Sequence, residues 1–338
     1  MGRYLGVKIA IIGAGLVGAT TAFALMQSGL ASELVLVDTD QERAKGEAMD
    51  LAHAAAFVPP VEIRPGDYRD CLGADIVIFT AGYHQHPGQT RQELVHANTR
   101  ILAEALPPIL EAAPQAIVLM VTNPVDVLTY VGLKISGLPP ERLFGSGTTL
   151  DTSRFRHLLS RHCRVDARNV HAYIVGEHGD TEVPVWSLAN IAGVAVQEYC
   201  LVCQRNCLKE DKDRIFEQVK NAAYTIIERK KATYYAIALA VRRICESIIR
   251  DENSILTVTG MISGMYGLDD VCLSLPSLVN RRGRTKVLEL PLSEDEKAAL
   301  LHSARSLHQV IDQLERPFPV YSASKPAFHP PHPPYPYH

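Results

Sequence analysis

Residues 7–18 read VKIAIIGAGLVG, a short apolar run followed directly by three glycines at a fixed spacing. The run predicts a buried strand, and the apolar periodicity after it predicts a helix at 16–28. Gly13 permits a tight turn, Gly15 lets a ligand approach the backbone, and Gly18 allows the helix to pack closely on the strand. A strand, a glycine turn and a helix in this order predict a phosphate-binding site at a helix N-terminus.

A carboxylate closes the second predicted strand. The strand ends in Leu36, Val37 and Asp38, and Asp38 follows the last of the three glycines by about 20 residues. At that spacing Asp38 can bind the ribose hydroxyls of NAD and would repel the 2′-phosphate of NADP. The alternatives are a glycine turn that binds no ligand and an aspartate that only caps the next helix. The two features together favour NAD as the cofactor.

The first half of the chain alternates short β-branched runs with helical patterns. The predicted strands are 8–12, 34–37, 76–80 and 117–121, and the predicted helices are 16–28, 41–53 and 94–111. Such alternation is typical of a parallel sheet with helices on both faces. We therefore predict an α/β fold with a doubly wound parallel sheet, a Rossmann-type NAD-binding domain, at residues 1–149.

The second half of the chain has a different pattern. Helices are predicted at 212–227, 233–250 and 294–314, and strands at 254–261 and 271–279. These elements predict a mixed α+β substrate domain at residues 150–316. Eight of the 21 prolines lie in the remaining residues, 317–338, and this composition predicts an extended or disordered tail.

Composition and charge exclude several classes of partner. The chain has 338 residues and a net charge of -3, without a basic block of the kind that binds nucleic acid. No signal peptide and no apolar run long enough for a membrane span are recognisable, so we expect a cytoplasmic protein. Cys200, Cys203 and Cys207 have a spacing that could hold a metal, but a structural zinc site needs a fourth ligand and none lies close in the sequence. We therefore predict reduced thiols and no metal.

Four segments carry polar residues that local structure does not require: GYHQHPGQTR from Gly82, VTNPVD from Val121, GTTLDTSRFR from Gly147 and VGEHGDTEVPVW from Val175. Together with the glycine turn and the segment KKATYYAIA at 230–238, they resemble the signature segments of the lactate and malate dehydrogenase family. The resemblance covers nearly all of the chain before the proline-rich tail. It implies hydride transfer between NAD and a small 2-hydroxy or 2-keto acid.

Three residues have the chemistry that this reaction needs. His178 can serve as the general acid and base, because imidazole titrates near neutral pH. Asp151 can fix the tautomer of His178, and Arg154, three residues later on the same helical face, can bind the substrate carboxylate through two hydrogen bonds. The alternatives are a turn histidine, a helix N-cap and a surface ion pair.

The resemblance implies roles for further residues. Arg91 matches the arginine of the mobile lid that polarises the reacting carbonyl, and Asn123 matches the residue that contacts both substrate and nicotinamide. The alternative for Asn123 is an Asn-Pro turn. Thr233 resembles the wall of the substrate pocket, and Ile237, one helical turn later, would lie against the nicotinamide. Val17 and Gly82 match other cofactor contacts.

Gln85 occupies the position that the resemblance assigns to substrate specificity. Malate-type members carry arginine there to pair with the second carboxylate of oxaloacetate, whereas an amide cannot compensate that buried charge. Pyruvate, reduced to L-lactate as the last step of fermentative glycolysis, is therefore the predicted substrate. A malate or broader 2-hydroxy acid dehydrogenase and a non-catalytic dinucleotide-binding protein are the alternatives. The lid also departs from the common family pattern at His84, His86 and Gln89, and Lys231 stands where glycine is frequent.

Two cations indicate regulation. Arg156 and His171 lie where phosphate-binding residues occur in the allosteric bacterial members of the family. The resemblance thus implies activation by fructose 1,6-bisphosphate bound across a two-fold interface of a homotetramer. The alternative is an ordinary solvated arginine and a histidine at the start of a strand.

Overall fold

A computed structural model describes residues 6–83, 91–202, 209–314, 318 and 321. Its centre is a nine-stranded sheet. The six parallel strands are β1 (Lys8–Ile12), β2 (Glu33–Val37), β3 (Glu62–Gly66), β4 (Ile76–Phe79), β5 (Ile117–Met120) and β6 (Leu143–Gly145). They lie in the order β3, β2, β1, β4, β5, β6, which is the doubly wound order of dinucleotide-binding folds. The predicted parallel sheet is confirmed.

Helices cover both faces of this sheet. In the first part of the chain they are α1 (Leu16–Ser28), α2 (Gln41–His53), α3 (Arg91–Ala112) and α4 (Val125–Ser136). Alternate residues of each parallel strand face opposite helical layers: in β1, Ile9 and Ile11 lie in one apolar cluster and Ala10 and Ile12 in the other. Burial on both faces explains why these strands are continuous apolar runs.

The second half of the chain begins with α5 (Thr149–Cys163), which packs on a small sheet and a third apolar cluster. The short strands are β7 (Val170–His171), β8 (Ile174–Val175), β9 (Val183–Pro184), β10 (Asn190–Ile191) and β11 (Val194–Ala195). The helices that follow are α6 (Val196–Val202), α7 (Lys209–Lys220), α8 (Ala222–Lys230) and α9 (Tyr235–Ile249). The single helix predicted at 212–227 is wrong, because α7 and α8 are separated at Asn221.

The last strands complete the central sheet. They are β12 (Ser254–Met265), β13 (Leu268–Asn280) and β14 (Gly283–Val287), followed by α10 (Glu294–Asp312). β12 runs antiparallel to β6 and meets it where Thr259 pairs with Gly145. The strands predicted at 254–261 and 271–279 therefore extend the parallel sheet instead of forming a separate one.

Most of the proline-rich tail lies outside the described residues. Phe318 and Tyr321 are described, and both pack against the apolar cluster around α4. The amide of Tyr321 donates a hydrogen bond to the carbonyl of Ile135 at 2.8 Å. The start of the tail is therefore attached to α4. None of the described helices has both the length and the apolar composition needed to cross a membrane.

Candidate active site

The glycine turn between β1 and α1 is shaped by close backbone packing. Gly13 has φ +101°, and a Cβ added there would lie 2.7 Å from the amide nitrogen of Ala81. A Cβ added to Gly18 would lie 1.8 Å from the carbonyl oxygen of Gly13. In contrast, no heavy atom lies within 4 Å of a Cβ placed on Gly15. The turn thus excludes side chains at two positions and leaves open space at the third, where α1 begins.

The carboxylate of Asp38 is hydrogen bonded to this turn. It accepts hydrogen bonds from the amide of Ala14 at 2.7 Å and from the amide of Asp40 at 2.9 Å. The cap of α2 is instead the side chain of Asp40, which accepts from the amide of Arg43. No side chain among the described residues caps the N-terminus of α1. Free helix amides, an open glycine and a carboxylate beside them fit a dinucleotide with two phosphates and a ribose diol.

The candidate chemical site lies where α5 meets the loop after β8. Asp151 and Arg154 lie on the same face of α5, and Arg154 Nη1 donates to Asp151 Oδ1 at 2.8 Å. The other carboxylate oxygen, Asp151 Oδ2, lies 2.5 Å from His178 Nδ1. Asp151 is almost fully buried, whereas about a fifth of the His178 side chain, 22%, remains exposed. One carboxylate thus links an accessible imidazole to a guanidinium.

The electrostatics of this pair follow from burial and charge. Burial alone would lower the pKa of His178, but the charge and hydrogen bond of Asp151 outweigh burial and raise the pKa to about 9. Burial likewise opposes ionisation of Asp151, and His178 and Arg154 outweigh it, so the pKa of Asp151 lies below its ordinary value. At neutral pH the site therefore holds an imidazolium and a carboxylate.

Asp126 is a site residue to which the sequence analysis assigned no role. It is buried in the first turn of α4, and its Oδ2 accepts a hydrogen bond from the backbone amide of His178 at 2.7 Å. Its Oδ1 accepts from Thr259 of β12. Burial raises the pKa of Asp126 to about 7. The carboxyl group thus attaches the histidine loop to the central sheet, and the polar segment VTNPVD was the signal for it.

Asn98 of α3 is a second residue that sequence reasoning missed. It is 1% exposed, its Oδ1 accepts from the amide of Tyr83 at 2.7 Å, and its Nδ2 donates to the carbonyl of Asn123 at 2.8 Å. Asn98 therefore joins the backbone at Tyr83 to the carboxyl end of β5. The exposed side chain of Asn123 lies at that end, and a Cβ on Gly82 would meet Thr122 Cγ2 at 2.4 Å.

Thr233 and Ile237 lie at the start of α9. Thr233 is half-buried and precedes the helix, whose first residue is Tyr235, so the predicted one-turn helical spacing between Thr233 and Ile237 is wrong. Ile237 lies in the first turn and packs against the core beside β1. Lys231 ends α8 with φ +72°, a left-handed conformation that favours glycine.

Several predicted residues fall outside the described part of the chain. Gln85 and its lid neighbours His84, His86 and Gln89 lie outside it, as do Cys203 and Cys207. Arg91 is the first residue of α3, and its side chain is not described. Within the described residues, no group of three or more histidine, cysteine or acidic side chains could hold a metal ion.

The two predicted regulatory cations are Arg156 on α5 and His171 on β7. Arg156 Nε donates to the carbonyl of Ala172 at 3.0 Å, and its guanidinium lies 5.5 Å from the ring centroid of Tyr173. His171, the residue before Ala172, is exposed on β7. Both side chains are therefore outside the site of His178 and Asp151.

Comparisons with known proteins match one family along most of the chain. The family described as lactate/malate dehydrogenase, NAD binding domain, matches residues 7–145, and its alpha/beta C-terminal domain matches residues 148–317. An L-lactate dehydrogenase of Moorella thermoacetica is 58% identical over 93% of this chain and 99% of its own length. L-lactate dehydrogenase 1 of Clostridium acetobutylicum is 53% identical over 91% of this chain and 98% of its own.

Two solved structures that are similar to this chain are also lactate dehydrogenases. The minor L-lactate dehydrogenase of Enterococcus mundtii, in a ligand-bound form, superposes with a TM-score of 0.89 at 40% identity and covers 92% of this chain and 99% of its own. A lactate dehydrogenase from a deep-sea metagenome library has a TM-score of 0.87 at 42% identity and covers 90% of this chain and 98% of its own. The chain therefore belongs to the lactate and malate dehydrogenase family.

Proposed function

We propose that this protein is an NAD-dependent L-lactate dehydrogenase that reversibly reduces pyruvate to L-lactate. The observation that carries the proposal is the position of Asp151, which binds His178 Nδ1 and Arg154 Nη1 at once. His178, the general acid and base, and Arg154, which binds the substrate carboxylate, are thereby held at a fixed separation. The similar proteins of Moorella and Clostridium, which bear the name L-lactate dehydrogenase, support the same activity.

Arg154, His178 and Asp151 have different roles in this reaction. Arg154 binds the substrate carboxylate through guanidinium hydrogens that Asp151 leaves free, and protonated His178 donates to the carbonyl oxygen that becomes the hydroxyl. Asp151 stabilises the imidazolium before this transfer. Bound NADH supplies the hydride to C2. In the reverse direction neutral His178 accepts the hydroxyl proton of lactate.

The remaining roles are part of the same proposal. Arg91 polarises the substrate carbonyl when the lid closes, and Gln85 favours a methyl group over a second carboxylate. The other proposed contacts are Thr233 and Asn123 for the substrate, and Gly13, Gly15, Val17, Gly18, Asp38, Gly82, Asn123 and Ile237 for NAD. Residues 1–149 form the NAD-binding domain and residues 150–316 the substrate domain.

Oxidation of NADH tests the proposal when pyruvate and oxaloacetate are assayed in parallel. We expect a clear preference for pyruvate, measured as kcat/KM from the loss of NADH absorbance. A preference for oxaloacetate would make the protein a malate dehydrogenase. No oxidation with either acid, together with intact NADH binding, would favour a non-catalytic dinucleotide-binding protein.

The proposed enzyme is a cytoplasmic homotetramer that takes part in fermentative glycolysis. Exposed apolar side chains on α1 and α9, such as Phe23 and Leu239, support burial of these helices against another subunit. Size-exclusion chromatography with light scattering measures the number of subunits directly.

Fructose 1,6-bisphosphate is the proposed activator. The hydrogen bond from Arg156 to Ala172 places the guanidinium beside the backbone of His171, so both can bind phosphate on the face of α5 that points away from Arg154. Across a two-fold axis each cation appears twice. The cations of the two subunits then repel one another until a bound bisphosphate neutralises them. Binding then favours the conformation of α5 in which Arg154 receives substrate.

The activation has an expected size. The bisphosphate should lower the KM for pyruvate about 5-fold to 150-fold, the usual range of allosteric coupling. An Arg156→Gln, His171→Gln variant should not respond. A His157→Gln, Arg161→Gln variant, with the same changes at exposed positions of α5, should respond as wild type. An unresponsive wild type, or a fully responsive first variant, would refute this regulation.

A further inference from the structure

Glu182 is a buried acid beside the proposed catalytic pair. The residue is 6% exposed and lies in the loop that carries His178. Its backbone is fixed, because its amide donates to the carbonyl of Gly179 at 3.2 Å. Its side-chain Oε1 is buried and has no hydrogen-bond partner among the described residues. An ionised carboxylate with one buried oxygen that no donor reaches is costly in such a place, so this side chain requires an explanation.

The charged groups around Glu182 come from three elements. Asp151 and Arg154 face it from α5, His178 belongs to its own loop, and Lys220 of α7 contributes a weaker field. Arg154 and His178 are both hydrogen bonded to Asp151, so two positive charges and one negative charge leave a single positive charge in this group. An ionised Glu182 would cancel that positive charge before a substrate anion binds. Burial, and then the negative charge of Asp151, raise the pKa of Glu182 to about 8.

Resting on the proposed function, we propose that Glu182 is a positioning residue that keeps its proton while a 2-keto acid anion binds, so that Asp151 is the one negative charge facing the substrate carboxylate. Neutral Glu182 lets the anion reach Arg154 without repulsion. Ionised Glu182 weakens anion binding and also holds the proton on His178 more tightly. The carboxyl group thus controls substrate affinity through the charge of the site and touches neither substrate nor cofactor.

The pKa values of Glu182 and His178 set the direction of the pH effect on substrate binding. Glu182 is neutral below about pH 8 and His178 is protonated below about pH 9, so the form that binds the anion best exists below both values. As pH rises, Glu182 ionises first and His178 loses its proton second. The KM for pyruvate in wild type should therefore depend on two ionisations above neutral pH, and in a Glu182→Gln variant on one.

The first experiment compares the pH dependence of KM and kcat. Wild type, Glu182→Gln and Glu217→Gln are assayed with pyruvate from pH 7 to pH 9.5, and each KM is divided by its value at pH 7. Glu217 is exposed on α7, so its variant carries the same change in charge outside the site. We expect the KM of Glu182→Gln to rise about 30-fold less than that of wild type by pH 9.5, the factor set by one ionisation near pH 8. Glu217→Gln should follow wild type. Equal rises in all three proteins overturn the proposal.

The second experiment needs no variant. Oxamate, in which an amino group replaces the methyl group of pyruvate, is titrated calorimetrically into wild type with NADH at pH 9, in buffers of different ionisation enthalpy. If both Glu182 and His178 take up protons, total uptake should exceed about one proton per site. Uptake of one proton or less contradicts the inference about Glu182. A wild type that does not reduce pyruvate refutes the proposed function itself, whereas pyruvate reduction with a single alkaline ionisation refutes this inference alone.

Discussion

Replacing His178 with asparagine is expected to reduce kcat for pyruvate reduction by at least about 100-fold, the usual effect of removing a general acid or base. Asparagine cannot supply a proton, although its side-chain amide can still donate a hydrogen bond to Asp151. NADH binding should remain, because the glycine turn and Asp38 lie on other elements of the fold. Steady-state rates measure the first effect, and titration of NADH fluorescence measures the second.

A matched variant separates this effect from a general loss of structure. His157 lies on α5, the helix of Asp151, but its side chain is exposed, so His157→Asn should retain wild-type turnover. In wild type, the acid form of His178 exists below about pH 9. Pyruvate reduction should therefore fall as pH rises through this value, and lactate oxidation, which needs the neutral base, should increase. Turnover close to normal in His178→Asn would assign proton transfer to another group.

Replacing Gln85 with arginine is expected to lower the ratio of kcat/KM for pyruvate to that for oxaloacetate roughly 100-fold or more. The added guanidinium would pair with the second carboxylate of oxaloacetate, and it would remain unpaired beside the methyl group of pyruvate. Each of these effects is worth about 1.5–3 kcal/mol, and about 1.4 kcal/mol corresponds to tenfold. The measurement is the pair of specificity constants for each protein.

Gln89→Arg is the control for this substitution, since it adds the same charge within the same lid segment. It should leave the ratio of specificity constants nearly unchanged. An equal shift in both variants would mean that net charge, and not the position of Gln85, changes the preference. A wild type that already prefers oxaloacetate would contradict the assignment of pyruvate.

The local elements of the fold were predictable because their signals are local. α1 and α2 begin and end at the predicted residues, since glycines flank α1 at Gly15 and Gly29 and the side chain of Asp40 caps the start of α2. The partner of β12 was not predictable in this way. Its sequence indicates a strand, but the pairing of Thr259 with Gly145 depends on how distant parts of the chain pack. The break at Asn221 was missed because the apolar periodicity continues across it.

The candidate site likewise contains residues with a local sequence signal and residues whose contacts depend on long-range packing. Asp151, Arg154 and His178 were found because their side chains have a chemistry that the surrounding pattern does not need. Asp126 and Asn98 form hydrogen bonds with backbone groups that are distant in the sequence, so no spacing between residues predicts these contacts. In the sequence Glu182 resembles any polar loop residue, because its burial and the lack of a partner for its Oε1 among the described residues appear only in the structure.

The junction between β6 and β12 has a consequence for synthesis of the chain on the ribosome. β6 is complete long before β12, because α5 to α9 are translated between them. During this interval the nascent parallel sheet ends in a strand with unpaired backbone groups, a template for association with other chains. β6 has only 3 residues, which keeps that template short. We expect arrested chains that end before β12 to need chaperones more than full-length chains do.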